Sequence, residues 1–175
     1  MSDNPPSPVA VGFLTVIHDA TGVFGGYLVT NAWGRPLEFR LTTAVQPNRV
    51  QQILYGPTLT EHLHADLIGK TLVEKTATQP GLIVTDSLPA LGLRSRVGVP
   101  VVALGPADGV PDLIVLASPR SSVPLLLAAR FDEDRPLIED RLERIDPAVD
   151  LAEPFGRIRE AMAEARKMGV TGRAA

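Results

Sequence analysis

The sequence contains no cysteine among its 175 residues. This absence excludes a disulfide framework, a cysteine-ligated zinc site and a thiol nucleophile. A chain without disulfides is typical of a reducing compartment, so we expect a cytoplasmic protein.

The chain also lacks long hydrophobic runs and an excess of positive charge. No stretch of about 18 apolar residues is available to span a bilayer, and no basic cluster precedes the first apolar run, which argues against a signal peptide or a membrane partner. The formal net charge is -3, so no overall positive field attracts nucleic acid or anionic lipid, although a local basic patch stays open.

The remaining composition is that of a globular chain, with 45% hydrophobic and 21% charged residues. The length suits one domain, which we place at 9–169. The proline-rich residues 1–8 are expected to form a flexible leader, and residues 170–175 a flexible tail.

The first third of the sequence predicts an antiparallel meander. Residues 9–17 are rich in β-branched and aromatic side chains and run into a turn, and 27–30 form a second strand. Residues 37–42 alternate strictly, which places Leu37, Phe39 and Leu41 on the core face and the side chains between them on the other.

A helical period follows the meander. Val50, Ile53 and Leu54 share one helix face before Gly56 and Pro57 interrupt it, and a leucine series continues the pattern to Leu72. Thr58 and Thr60 are candidate caps for the second of these helices.

Short apolar runs at 82–84, 99–104 and 113–116 then predict strands covered on both faces, with a short segment at 91–96 after the first of them. We interpret 125–129 as a further strand, although so short a run also fits the start of a helix.

The C-terminal part predicts two helices. Residues 136–145 form a charged helix, and 150–168 form an amphipathic one with Asp150 as its cap and Glu153 three positions later. The apolar stripe of the 150–168 helix packs either on its own domain or against a protein partner or second copy in a homodimer. The fold class predicted is α/β: a three-stranded antiparallel meander, then helices and further strands, with a C-terminal amphipathic helix.

Two aspartates end apolar strand-like runs in this order of elements. Ile17-His18-Asp19-Ala20-Thr21, with Gly25-Gly26-Tyr27 after it, and Val84-Thr85-Asp86-Ser87 resemble the first-strand and fourth-strand aspartates of the ribonuclease H-like superfamily. The resemblance covers residues 9–145. It implies a mixed sheet in which the fourth strand pairs beside the first. It also implies a glutamate from the intervening helix, for which Glu61 is the candidate. A late helix would supply a fourth acid, for which Asp132, Asp134 and Asp140 are the candidates.

The resemblance further implies a divalent-metal-dependent nuclease in which Asp19, Glu61 and Asp86 are the catalytic and metal-binding residues. Mg²⁺ or Mn²⁺ suits such a set because hard cations take carboxylate oxygens, and a pair of ions stabilises both the attacking and the leaving oxygen. Neighbouring strands lie roughly 4.8 Å apart, so aspartates at equivalent heights would share an ion. Nucleic acid is the partner implied.

Simpler roles for these acids stay open. Asp19 also fits a turn residue bonded to its own backbone, and Asp86 fits the cap of the short helix after it.

The acidic balance and the absence of a strong catalytic motif favour, as an alternative, a non-catalytic binding or scaffold subunit of a larger assembly. Such a subunit would use the Trp33 turn and the C-terminal helix. A small-molecule or nucleotide site beyond the strand ends is the second alternative.

The histidines and serines give no strong motif. His62 and Asp66 have the i,i+4 spacing of a metal pair, but zinc spacings are absent and a solvated helix face is the simpler interpretation. No serine lies in a Gly-x-Ser-x-Gly elbow, and no motif places a histidine beside one.

Overall fold

The computed structural model of the protein describes residues 8–169. The predicted tail lies outside the described residues, as does the predicted leader except for its last residue. Seven strands form one mixed sheet in the order β3-β2-β1-β4-β5-β7-β6. The strands are β1 (Val11–Asp19), β2 (Gly22–Thr30), β3 (Pro36–Leu41), β4 (Leu82–Thr85), β5 (Val101–Leu104), β6 (Leu113–Leu116) and β7 (Leu125–Ala128).

The strand pairing confirms the predicted fold class. Strands β1, β2 and β3 are an antiparallel meander, and β4 lies parallel to β1 on its other side. Strand β5 continues the sheet in parallel, whereas β7 and β6 complete it in antiparallel pairings. The short run at 125–128 is a strand, as interpreted, because it is paired on both sides.

Helices cover both faces of the sheet. They are α1 (Arg49–Tyr55), α2 (Leu59–Glu61), a π-helix (His62–Gly69), α3 (Lys70–Lys75), α4 (Arg135–Glu143) and α5 (Glu153–Lys167), with 3₁₀ segments at Gly56–Thr58, Leu88–Ser95 and Ala129–Asp134. None of the helices between residues 8 and 169 has the length and apolar character required to cross a bilayer.

Each face of the sheet carries its own hydrophobic cluster. Phe13 of β1 packs edge-on against Phe155 of α5, with ring centroids 5.8 Å apart, on the face that α4 and α5 cover. The neighbouring Leu14 points to the opposite face, where Ile68 of the π-helix and Leu93 cover it. Burial on both faces explains why β4 and β5 read as continuous apolar runs.

Two consecutive glycines in β2 allow helices to approach this strand from both sides. A Cβ at Gly25 would clash with Ile68 of the π-helix, and a Cβ at Gly26 would clash with Met162 of α5. The close packing around β2 therefore depends on the absence of side chains at these two positions.

The C-terminal helix begins later than the sequence pattern predicts. Asp150 does not cap it: its carboxylate accepts from the backbone N–H of Ala152 in a separate turn, and α5 starts at Glu153 with Pro154 in its first turn. Proline suits the first turn because it has no N–H to leave unpaired. The threonine caps are also absent, since Thr58 donates its hydroxyl to the carbonyl of Tyr55.

Candidate functional site

The register of the central strands separates the two predicted aspartates. Leu14 of β1 lies opposite Thr85 of β4, so Asp86 is level with Thr15, and Asp19 lies four residues further along β1. At about 3.3 Å per residue, the two aspartates differ in height by roughly 13 Å. The assumption that they end their strands at equivalent heights is therefore wrong, because β1 extends well beyond β4.

Asp19 is held in a turn and an ion pair. Its carboxylate accepts from the Thr21 backbone N–H at 2.7 Å and hydroxyl at 2.5 Å, and from the Arg166 guanidinium at 2.6 Å. The hydroxyl of Thr21, followed by Arg166, lowers the pKa of Asp19 to about 2. The carboxylate thus has the local turn role that the sequence left open, together with a cationic partner.

Asp86 lies at the carboxyl end of β4 and is also paired with an arginine. The Arg159 guanidinium of α5 donates to its carboxylate and lies 3.4 Å from the hydroxyl of the buried Thr15. The β1 position level with Asp86 therefore holds a hydroxyl rather than a second carboxylate. Asp86 thus already has a cationic partner in Arg159.

Glu61 lies in different surroundings from both aspartates. Its carboxylate is 3.7 Å from the Arg130 guanidinium, and a Cβ at Gly92 would clash with it. Glu61 borders a cavity of about 490 Å³ between the 3₁₀ segment Leu88–Ser95 and the β6–β7 hairpin, and neither aspartate lines this cavity.

The carboxylates as arranged do not fit a divalent-metal centre. Within residues 8–169, no three His, Asp or Glu side chains are grouped so that they could hold an ion. Asp19, Glu61 and Asp86 each face a different arginine, and the three candidates for a fourth acid, Asp132, Asp134 and Asp140, are paired with arginines too. Binding Mg²⁺ or Mn²⁺ would require these side chains to rearrange.

Three polar side chains that no sequence motif links are in contact at the end of the central strands. Nε2 of His18 lies 2.6 Å from Nε2 of His64, and Nδ1 of His64 lies 2.6 Å from Oγ of Ser87. His18 is exposed at the end of β1, whereas His64 and Ser87 are buried. Strand pairing and helix packing bring the three together from separate parts of the sequence.

The π-helix positions His64 against the sheet. π-helical turns are rare and frequently occur at functional sites. Here the turn aims a histidine that is only 5% exposed toward Ser87, which begins the next 3₁₀ segment but makes no side-chain cap bond there. Burial, and then the adjacent His18, lower the pKa of His64 to about 4. His64 is therefore neutral at pH 7, and it donates through one ring nitrogen and accepts through the other.

The pair suggested by helical spacing, His62 and Asp66, is occupied by other contacts. His62 Nδ1 lies 3.4 Å from the Asp66 carboxylate, which accepts two bonds from Arg96 at 2.8 and 3.2 Å. The ring of His62 stacks on Tyr55. His62 and Asp66 therefore lie on the partly exposed face of the π-helix, whereas His64 faces the core.

Helix α1 presents an apolar surface to solvent. Asn48 and Gln51 form a reciprocal capping box that starts the helix, and the helix contains no buried residue. Val50, Ile53 and Leu54 are 62%, 63% and 77% exposed. We call these three side chains the α1 ridge. The shared helix face that the sequence predicts is real, but it points away from the core.

The C-terminal helix does not offer the partner surface that its sequence allowed. Phe155, Ile158 and Met162 of α5 are buried in the hydrophobic cluster of their own domain. A homodimer through the apolar stripe of 150–168 is therefore incompatible with this packing. Trp33, in contrast, is 64% exposed in its turn, which leaves the predicted Trp33 surface accessible.

No family model matches the sequence, and no curated protein matches it. Among solved structures, the chain is similar to Endonuclease V of Ciona intestinalis. The D234N form, in complex with a 23mer DNA containing an inosine followed by a ribo-adenosine, is 10% identical with a TM-score of 0.47. A complex of the enzyme with a 24mer DNA is 11% identical with a TM-score of 0.46. Both comparisons cover 90% of this chain and 87% of the other.

Proposed function

We propose that this protein is a non-catalytic assembly domain that binds a second copy of itself through the α1 ridge. The observation that carries the proposal is a well-capped helix with three large apolar side chains in solvent and none in the core. The pairing of each candidate catalytic carboxylate with its own arginine supports a binding role over a metal-dependent one.

The α1 ridge has the pattern of a helix interface. Its members at i, i+3 and i+4 lie on one face, and such rows of side chains pack into the grooves of a facing helix. Isolated helices of seven residues are marginal in water, so contact with a second element would stabilise α1. The sequence pattern, the cap and the exposure thus all support packing of α1 against a second helix.

Charge favours a second copy in an antiparallel arrangement. Arg49 is the single charged residue of α1. A two-fold axis across the ridge places each Arg49 beside the C-terminal end of the facing helix, where carbonyl groups favour a cation. The two Arg49 side chains would lie at opposite ends of the helix pair, so like charges would not face each other. Each copy would contribute the same surface, the α1 ridge, to the contact.

The expected dimer is weak. Burying the exposed parts of the three side chains on both copies contributes roughly 6–10 kcal/mol. Association costs an estimated 4–15 kcal/mol. The ridge is also smaller than the roughly 800 Å² per partner of a stable interface. The largest net gain that these two ranges allow is about 6 kcal/mol, so we expect a dissociation constant of tens to hundreds of micromolar.

Sedimentation equilibrium of the full chain over a wide concentration range tests this proposal. The wild-type protein should dimerise, and Ile53→Asp should weaken the dimer at least about tenfold, because a charge would be buried in the contact. Leu137→Asp is the matched control, since Leu137 is a partly exposed leucine on α4. A wild-type protein that stays monomeric at several hundred micromolar, or a dimer that Ile53→Asp leaves intact, would refute the proposal.

A metal-dependent nuclease is the second candidate. The observation that favours it is the parallel β1–β4 pairing beside an antiparallel meander, the arrangement that the ribonuclease H-like resemblance implies. Nucleic acid would be the substrate, and Asp86 would have to exchange Arg159 for Mg²⁺ or Mn²⁺. Cleavage of single-stranded, duplex and hybrid substrates with either metal, lost in Asp19→Asn and Asp86→Asn, would support it. Activity that survives in both variants would exclude these ligands.

A further inference from the structure

A groove separate from the α1 ridge runs between the end of β3 and the helical segment 67–75. Its volume is about 290 Å³. Its apolar lining comes from both sides: Leu41 and Val45 from the chain at and after β3, and Leu67, Ile68 and Leu72 from the helical segment. Arg40 and Lys75 lie on its rim. We call it the basic-rimmed groove.

The groove has an apolar floor that is already shaped. Leu67 is 38% exposed and Leu41 and Val45 are half-buried, so these three supply the accessible apolar surface, while Ile68 and Leu72 beneath them are fixed by core packing. Pockets for small molecules are usually 300–1,000 Å³ and mainly apolar with a few polar groups. The groove volume lies just below that range and suits a single short aliphatic chain.

The two charged residues that line the groove, Arg40 and Lys75, are both basic. Neither Asp nor Glu is among the residues that line the groove. Glu38, which lies 3.6 Å from Arg40, already accepts hydrogen bonds from the Ala77 and Thr78 backbone and from the Thr78 hydroxyl. Its carboxylate is thus held by the loop after α3.

Lys75, the second basic residue of the groove, has no acidic partner in its own helix. Glu74, the acid nearest to Lys75 in sequence, pairs with Lys70 on the preceding turn at 3.7 Å. No ion pair involves Lys75 within the described part of the chain. An ammonium on an open rim is a suitable partner for an anionic headgroup.

We propose that the basic-rimmed groove binds a free aliphatic carboxylate of medium chain length. The alkyl chain would lie between Leu67 and the side chains of Leu41 and Val45, and the carboxylate would meet Lys75 and Arg40 at the rim. This site is independent of self-association through the α1 ridge, since the two surfaces share no residue.

Isothermal titration of the full chain with sodium octanoate tests the site. Binding should be saturable with one site per chain. Removing two methylene groups, by titrating hexanoate, should weaken it about 15-fold, because each buried methylene contributes about fourfold in affinity. Octylamine, which has the same chain and the opposite charge, should bind more weakly still.

Variants locate the site. Lys75→Glu should weaken octanoate binding about tenfold by reversing the charge at the rim. Lys70→Glu is the matched control, a lysine of the same helix that does not line the groove, and it should leave binding unchanged. Leu67→Gln tests the apolar wall at a position exposed enough to keep the fold, and it should also weaken binding.

Three results would overturn the proposal. One is the absence of saturable octanoate binding up to millimolar concentration. Another is equal binding by wild type and both Lys75→Glu and Leu67→Gln, which would place the ligand elsewhere. The third is octylamine binding as tightly as octanoate, which would remove the role of the cationic rim.

Discussion

The buried His64 should make the protein sensitive to mild acid. His64 has a pKa of about 4 in the folded protein and an ordinary value of 6.5. Between pH 4 and pH 6.5, His64 is therefore mostly protonated in the unfolded chain and mostly neutral in the folded protein. The resulting stability is fully present above pH 6.5 and is lost as the pH falls toward 4.

The size of the effect follows from the difference in pKa. At pH 5 the linkage relation predicts a loss of about 2 kcal/mol relative to pH 7.5. Because the neighbouring His18 is exposed and water screens part of their interaction, we expect a measured loss of about 1–2 kcal/mol. The carboxylates with lowered pKa, Asp19, Glu38 and Asp66, contribute mainly at lower pH.

Urea denaturation at pH 7.5 and pH 5 measures this loss in wild type and in His64→Gln. The glutamine can still bond Ser87 but does not titrate, so the pH dependence in this window should largely disappear. His62→Gln is the control, because His62 lies two residues away in the same π-helix, stacked on Tyr55. The reasoning fails if wild type and His64→Gln lose the same free energy of unfolding between the two pH values.

Two further predictions concern packing and a buried ion pair. Gly25→Ala should destabilise the protein by about 1–3 kcal/mol, since its methyl group would clash with Ile68, whereas Gly98→Ala has open space; thermal unfolding compares them. Arg94→Ala should lower the free energy of unfolding by about 2–4 kcal/mol. The reason is that the carboxylate of Asp134, which is 6% exposed, would lose both hydrogen bonds from the Arg94 guanidinium. Arg94→Lys should recover part of that loss in urea denaturation, and no difference between Arg94→Ala and wild type would contradict the assignment.

The strands were predictable because their signals are local. Continuous apolar runs at 82–84 and 125–129 report directly that both faces are covered. The strict alternation in 37–42 predicts the strand, but its assignment of Leu37 to the core face is wrong, because β3 is an edge strand and Leu37 is 49% exposed. The start of α5 was less predictable. Asp150 satisfies the capping rule by composition, but its carboxylate bonds Ala152 in a turn before the helix.

For the two candidate aspartates, the sequence predicts the position of each along its own strand and nothing more. The sequence predicts that Asp19 and Asp86 end their strands, and both do lie at or just beyond strand ends. It does not specify the register, and the greater length of β1 places the two carboxylates far apart. The arginines that pair with them come from α5, about 73 and 147 residues away in sequence, which no local pattern reveals.

Sequence alone determined the mixed α/β class, the meander and the amphipathic character of α1 and α5, because each depends on the spacing of apolar residues along one segment. Tertiary structure decided which apolar face is covered: α5 buries its stripe on the sheet, whereas α1, with an equally regular pattern, leaves its ridge in solvent. It also joined His18, His64 and Ser87. The physical reason is that burial and ion pairing depend on which segments pack together, and periodicity within one segment carries no information about its neighbour.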